Sequence, residues 1–107
     1  MAGGMWHVET FAPRGDASVL ASFLKEELLP YMRSRGFNVK VFLTQYALGP
    51  DQFWLLTELD SMASFDKWPQ MAEGEPRGRE LMDQVTSMVE NVRASVVRDL
   101  EMSGHGR

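Results

Sequence analysis

Between Phe37 and Leu59 apolar and polar positions alternate with period two. Phe37, Val39, Val41 and Leu43 hold the odd positions. Ala47-Leu48-Gly49-Pro50-Asp51 then interrupts the pattern, and Phe53, Leu55 and Leu59 resume it. Alternation on both sides of a Gly-Pro break predicts an antiparallel hairpin. Its odd face is almost purely apolar. Its even face mixes large hydrophobes with charge: Lys40, Phe42, Thr44, Tyr46, Trp54, Leu56 and Glu58. A register that opposes Thr44 to Trp54, Phe42 to Leu56 and Lys40 to Glu58 sets opposite charges together, and such pairs contribute about 0.2–1 kcal/mol each. Another register keeps the two faces equally well matched.

The other elements follow from the same reading. Met5 to Phe11 alternates as a first strand, with Trp6, Val8 and Thr10 on one face and His7, Glu9 and Phe11 on the other. Pro13 and Gly15 end it. Asp16 or Ser18 can cap a helix whose stripe is Leu20, Phe23, Leu24, Leu28, Tyr31 and Met32. Gly36 suits its left-handed stop. Pro30 lies inside that helix and predicts a kink near Glu26 or Glu27 rather than an end. Asp60 or Ser61 caps a short second helix carrying Met62, Phe65 and Trp68, which Pro69 ends or bends. Residues 72–78 are expected as a loop. A third helix starts near Arg79, with Leu81, Met82, Val85, Met88 and Val89 on one stripe. Residues 91–100 fit a continued helix or a strand. Asn91 is a poor helix former, Ser95-Val96-Val97 is β-prone, and a fourth strand covers an otherwise open edge. The strand is the expectation.

Strand, helix, strand, strand, helix, strand is the ferredoxin-like α+β pattern, βαββαβ with an antiparallel four-stranded sheet. Two helical stripes cover one sheet face, the odd one. The even face is too apolar for solvent, so it predicts a two-fold homodimer through Lys40, Phe42, Tyr46, Trp54, Leu56 and Glu58. The chain reads as a leader (1–4), a single domain (5–102) and a tail (103–107). The 107 residues suffice for a core without staples. There is no cysteine, hence no disulfide and no thiolate metal site. No apolar run is long enough for a membrane span. A net charge of −4 with scattered basic residues argues against nucleic acid. A cytoplasmic location is the resulting expectation. Eight methionines can fill core gaps or line an adaptable pocket. No metal-ligand cluster, phosphate-binding glycine loop or Ser-His-Asp arrangement is visible.

From about residue 5 to 100 the layout resembles the dimeric α+β-barrel superfamily, in which two ferredoxin-like protomers pack sheet to sheet. Phe53-Trp54-Leu55-Leu56-Thr57-Glu58-Leu59-Asp60-Ser61 and the following Met62-Ala63-Ser64-Phe65-Asp66-Lys67-Trp68 are similar to a strand-to-helix segment of the antibiotic-biosynthesis-monooxygenase and NIPSNAP families. The resemblance implies a small apolar or aromatic ligand and cofactor-free oxygenase or isomerase chemistry. His7 or Tyr31 would then position an enolate, with Trp68 packing on the ring. Monooxygenase-like members often carry a histidine in the helix after this strand, where this chain has Trp68 and Pro69. Haem-degrading relatives use a helix histidine as the axial ligand. None of the predicted helices has one, which leaves His7 as the remaining haem candidate and no cofactor as the expectation.

Each candidate has a plainer reading. His7 is a general base or ligand, or a half-buried polar residue near a sheet end. His105, in the tail, is the weaker histidine. Glu58 is an acid–base group, or a carboxylate paired with Lys40 at the dimer contact. Trp54, Trp68 and Tyr31 line an aromatic site, or simply bury area. The competing function is a non-catalytic homodimeric interaction module.

Overall fold

The computed structural model describes residues 4–44 and 52–101. Tyr46, the turn at 47–51, most of the expected leader and the tail with His105 lie outside the described residues. Strand β1 (Met5–Pro13) opens the fold. Gly4 ahead of it is tied to the sheet rather than loose. At φ +80° it turns the chain so that its carbonyl accepts the Asp99 amide at 2.5 Å.

Asp16 caps the first helix by accepting the Ser18 amide at 2.8 Å. Helix α1 (Ala17–Phe23) runs into a π-helical turn, Leu24–Leu28, and continues as α2 (Leu29–Ser34). Pro30 therefore does not end the helix. It has no N–H to offer Glu26, and the wide turn just before it absorbs the defect. There the Leu29 amide donates five residues back, to Leu24. Buried positions also step by five across the turn, Phe23 to Leu28 and Leu24 to Leu29. Leu29, absent from the expected stripe, is thus a core residue. Gly36, at φ +89°, stops the helix.

The hairpin is β2 (Val39–Leu43) with β3 (Phe53–Glu58). Its register differs from the expected one. Lys40 faces Leu56, Val41 faces Leu55 and Phe42 faces Trp54. The observed pairing keeps the same faces but sets two aromatics opposite each other, and the Trp54 indole N–H donates to the Thr44 hydroxyl at 3.0 Å. Lys40 stands over the Trp6 ring at 5.7 Å, and Glu58 accepts from the Asn38 amide group at 2.8 Å. The indole hydrogen bond and the cation–π contact take the place of an exposed Lys–Glu pair, which contributes at most about 1 kcal/mol.

Ser61 and Ser64 form a reciprocal capping box around a 3₁₀ turn, Met62–Ser64. The next helix is separate: α3 spans Lys67–Gly74. Pro69 sits in its first turn, where no intrahelical N–H is needed, so it starts a helix instead of ending one. The expected loop at 72–78 is absent as such. Only Glu75 lies between α3 and α4 (Pro76–Met88), because Pro76 is preset for the first helical position. Gly78 makes this junction possible: a Cβ there would lie 2.5 Å from the Ala72 carbonyl oxygen.

Strand β4 (Val89–Arg98) follows without a loop, so the strand reading of the C-terminal segment holds. A bulge shifts its pairing, with Thr10 opposite Arg93 but Ala12 opposite Glu90. Asn91 takes the left-handed conformation there, at φ +55°. The sheet order is β2-β3-β1-β4, antiparallel throughout. The fold is ferredoxin-like. The core sits between helices and sheet, around Phe11, Leu20, Leu24, Leu28, Met32, Phe53, Leu55 and Leu81. Among the described residues no helix covers the other face, where Phe42 is 53% and Trp54 39% exposed.

Candidate functional site

Of the cavities between the helical layer and the sheet, two share Trp68 in their lining. The outer one, about 200 Å³, is a polar mouth bordered by His7, Asn38, Glu58, Asp60, Lys67 and the rings of Phe37 and Phe65. The inner one, about 100 Å³, is lined by Phe11, Leu28, Leu55, Met82, Val85, Val89 and Val92, with Glu9 as its one charged residue.

Strand alternation builds this gradient. His7, Glu9 and Phe11 stand in a row on β1, opposite Thr57, Leu55 and Phe53 of β3. Successive helix-facing positions therefore pass from mouth to inner cavity to core. His7 meets the Phe65 ring edge-on, with centroids 5.1 Å apart. Trp68 is gripped by two more edge contacts, to Phe37 at 5.6 Å and Tyr31 at 6.1 Å.

Tyr31 stands behind Trp68 and borders neither cavity. Its hydroxyl donates to the Glu75 carboxylate. Arg35 donates to the same carboxylate at 2.9 Å, and its guanidinium lies 4.9 Å from the Tyr31 ring centre. The hydroxyl bond from Tyr31, followed by the bond from Arg35, holds the Glu75 carboxyl below the usual carboxylate range. The same Tyr31–Glu75 bond, then burial and the carboxylate's charge, push the phenol above its ordinary value. This three-residue clasp joins the end of α2 to the α3–α4 junction and so fixes the wall that Trp68 forms.

Of the residues singled out from the sequence, His7 and Trp68 come together at the mouth. Tyr31 touches Trp68 only. Lys40, Phe42, Trp54 and Leu56 share the opposite sheet face, and Glu58 sits at the strand end beside Asn38. Tyr46 and His105 lie outside the described residues. Glu9 was not singled out, although its signal was legible: it is the acidic residue on the helix-facing side of β1. Its carboxylate forms no hydrogen bond or ion pair among the described residues. Nor does any group of three or more His, Asp or Glu residues among them suit a metal ion. No described helix is long and apolar enough to cross a membrane.

No protein-family model and no curated protein sequence matches the chain. Solved structures do. A NIPSNAP family protein from Agrobacterium tumefaciens superposes with a TM-score of 0.74 at 14% identity, over 92% of this chain and 87% of that one. A dimeric protein of ferredoxin-like fold from Bacteroides fragilis gives 0.61 at 15% identity, over 92% and 99%. A protein assigned as an antibiotic biosynthesis monooxygenase, from Bacillus cereus, gives 0.52 at 16% identity, over 90% and 93%. The chain has the ferredoxin-like fold that NIPSNAP and antibiotic-biosynthesis-monooxygenase structures share.

Proposed function

We propose that the protein is a homodimer that binds a small, largely apolar molecule between its helices and its sheet. The observation that carries the reading is Trp68, one indole shared by an apolar cavity and a polar mouth. Neither cavity alone reaches the roughly 300 Å³ of a pocket for a drug-sized ligand. A single ring needs about 150 Å³ in a closed apolar cavity. A ring therefore fills the inner space and part of the mouth together, pushing Trp68 aside. Haem, a macrocycle, is a poor fit to spaces of this size.

The neighbours support both halves of the proposal at the level of fold: one is dimeric, and another is assigned as a monooxygenase. Cofactor-free oxygenase or isomerase chemistry on an aromatic metabolite is the catalytic form of the reading, with the His7 imidazole at the mouth as the candidate proton acceptor. The non-catalytic form is a self-association module, favoured by the exposed pair Phe42 and Trp54.

The test uses a variant with Trp6→Phe and Trp54→Phe, so that Trp68 is the remaining one of three tryptophans. Toluene and p-cresol are titrated against its emission. Saturable shifts at sub-millimolar concentration are expected for at least one of them. An emission spectrum that neither probe moves would rule out the binding site and leave the self-association module.

A further inference from the structure

We infer that Glu9 selects the ligand: the site takes a small apolar molecule that carries one hydrogen-bond donor, a phenolic hydroxyl or an amine, and Glu9 accepts that donor. The inference rests on the binding reading above and gives it a chemical class. Three carboxylates line the two cavities. Two of them are already served. Glu58 accepts from Asn38 at 2.8 Å, and Asp60 lies 3.8 Å from the Lys67 ammonium. Glu9 has neither kind of partner among the described residues.

Its surroundings sharpen the point. Leu55 and Ala94 flank it across the two neighbouring strands, so its backbone is held from both sides. Phe11, Leu28, Met82 and Val85 share its cavity. The carboxylate stands amid apolar side chains, half-buried, and its oxygens still reach solvent at the cavity opening. A ligand that enters the cavity displaces solvent from these oxygens and supplies a fixed donor in its place, and bonds to an ionised acceptor are the stronger kind. The Trp68 indole beside it suits either a neutral ring or an ammonium group.

The test measures dissociation constants at pH 7, by ligand-observed NMR, for toluene, p-cresol and benzylamine. Wild type is compared with Glu9→Leu and Glu9→Gln. Wild type is expected to hold p-cresol or benzylamine about ten-fold or more tighter than toluene. Glu9→Leu should lose that preference while keeping toluene. Glu9→Gln, which stays an acceptor without charge, should keep p-cresol but lose benzylamine; this separates the neutral from the cationic donor. Glu9→Leu should also melt no lower than wild type, and a clear fall would assign the carboxylate a structural role and overturn the inference. Equal affinities in wild type, or a preference that survives Glu9→Leu, would overturn it while leaving the binding site intact. Failure of every probe on wild type would defeat the inference and the site together.

Discussion

On the helix-facing side of the sheet Phe11, Val39, Phe53 and Leu55 are buried, and Phe11 and Phe53 stack with centroids 6.0 Å apart. On the opposite side Phe42 and Trp54 also stand opposed, yet both remain exposed. The same alternation supplies both pairs. What separates them is cover: the chain's own helices close one face and no described element closes the other. An aromatic pair on a strand is thus a statement about available area, and its energy depends on what arrives to bury it. The inner pair stabilises the protomer. The outer pair can contribute only when a second surface meets it.

Substitutions on the two faces should therefore fail in different ways. Phe53→Ala is expected to have the largest effect, a loss of about 3–5 kcal/mol from cavity formation in the core, read by urea unfolding. Retention of wild-type stability would mean that the inner stack is dispensable. Trp54→Asp comes next. It should leave the protomer folded but abolish the proposed dimer in sedimentation at micromolar concentration, since apolar side chains contribute roughly 1.5–3 kcal/mol each when buried. A dimer that survives the change would place the contact elsewhere and break the comparison.

The smallest effect belongs to the clasp at the rim between the faces. The Glu75 pKa is lowered on folding, so its contribution is present above the usual carboxylate value and is lost as pH falls through the folded one. The Tyr31 pKa is raised, so its contribution is present below the ordinary phenol value and is lost as pH rises through the folded one. Glu75→Gln should flatten both limbs of the thermal-stability profile slightly and shift Trp68 emission at neutral pH. An unchanged profile and spectrum would show that Trp68 is held by Phe37 alone.

How far the sequence led can be judged residue by residue. Period-two alternation and the helical stripes located all four strands and the helical layer, because burial on one face leaves a plain trace. The hairpin register did not follow, since more than one pairing keeps Val39, Val41, Phe53 and Leu55 inward. The contacts that decide it, Trp54 with Thr44 and Lys40 with Trp6, are weak and lie across strands. Residues 72–78 looked like a loop because glycine and proline are usually punctuation. Here Pro76 begins a helix, and Gly78 permits a close approach. At the site, His7 and Trp68 were legible as candidates. Glu9 could be read only as an acid on the inward side of its strand, and that its carboxylate lacks a protein partner shows only once its neighbours are known.

The π-helical turn gives the first helix a property of a screw. Each residue in a helix turns the chain by about 100°. Deleting Glu26 would close the wide turn into an ordinary one, with the step of five between buried positions becoming the usual four, and leave everything beyond it in phase. Closing the turn without a deletion would instead rotate Leu29 and Met32 off the sheet and part Tyr31 from Glu75, all without a change to any of the three. The aim of that tyrosine is set by one surplus residue and the wide turn that absorbs it.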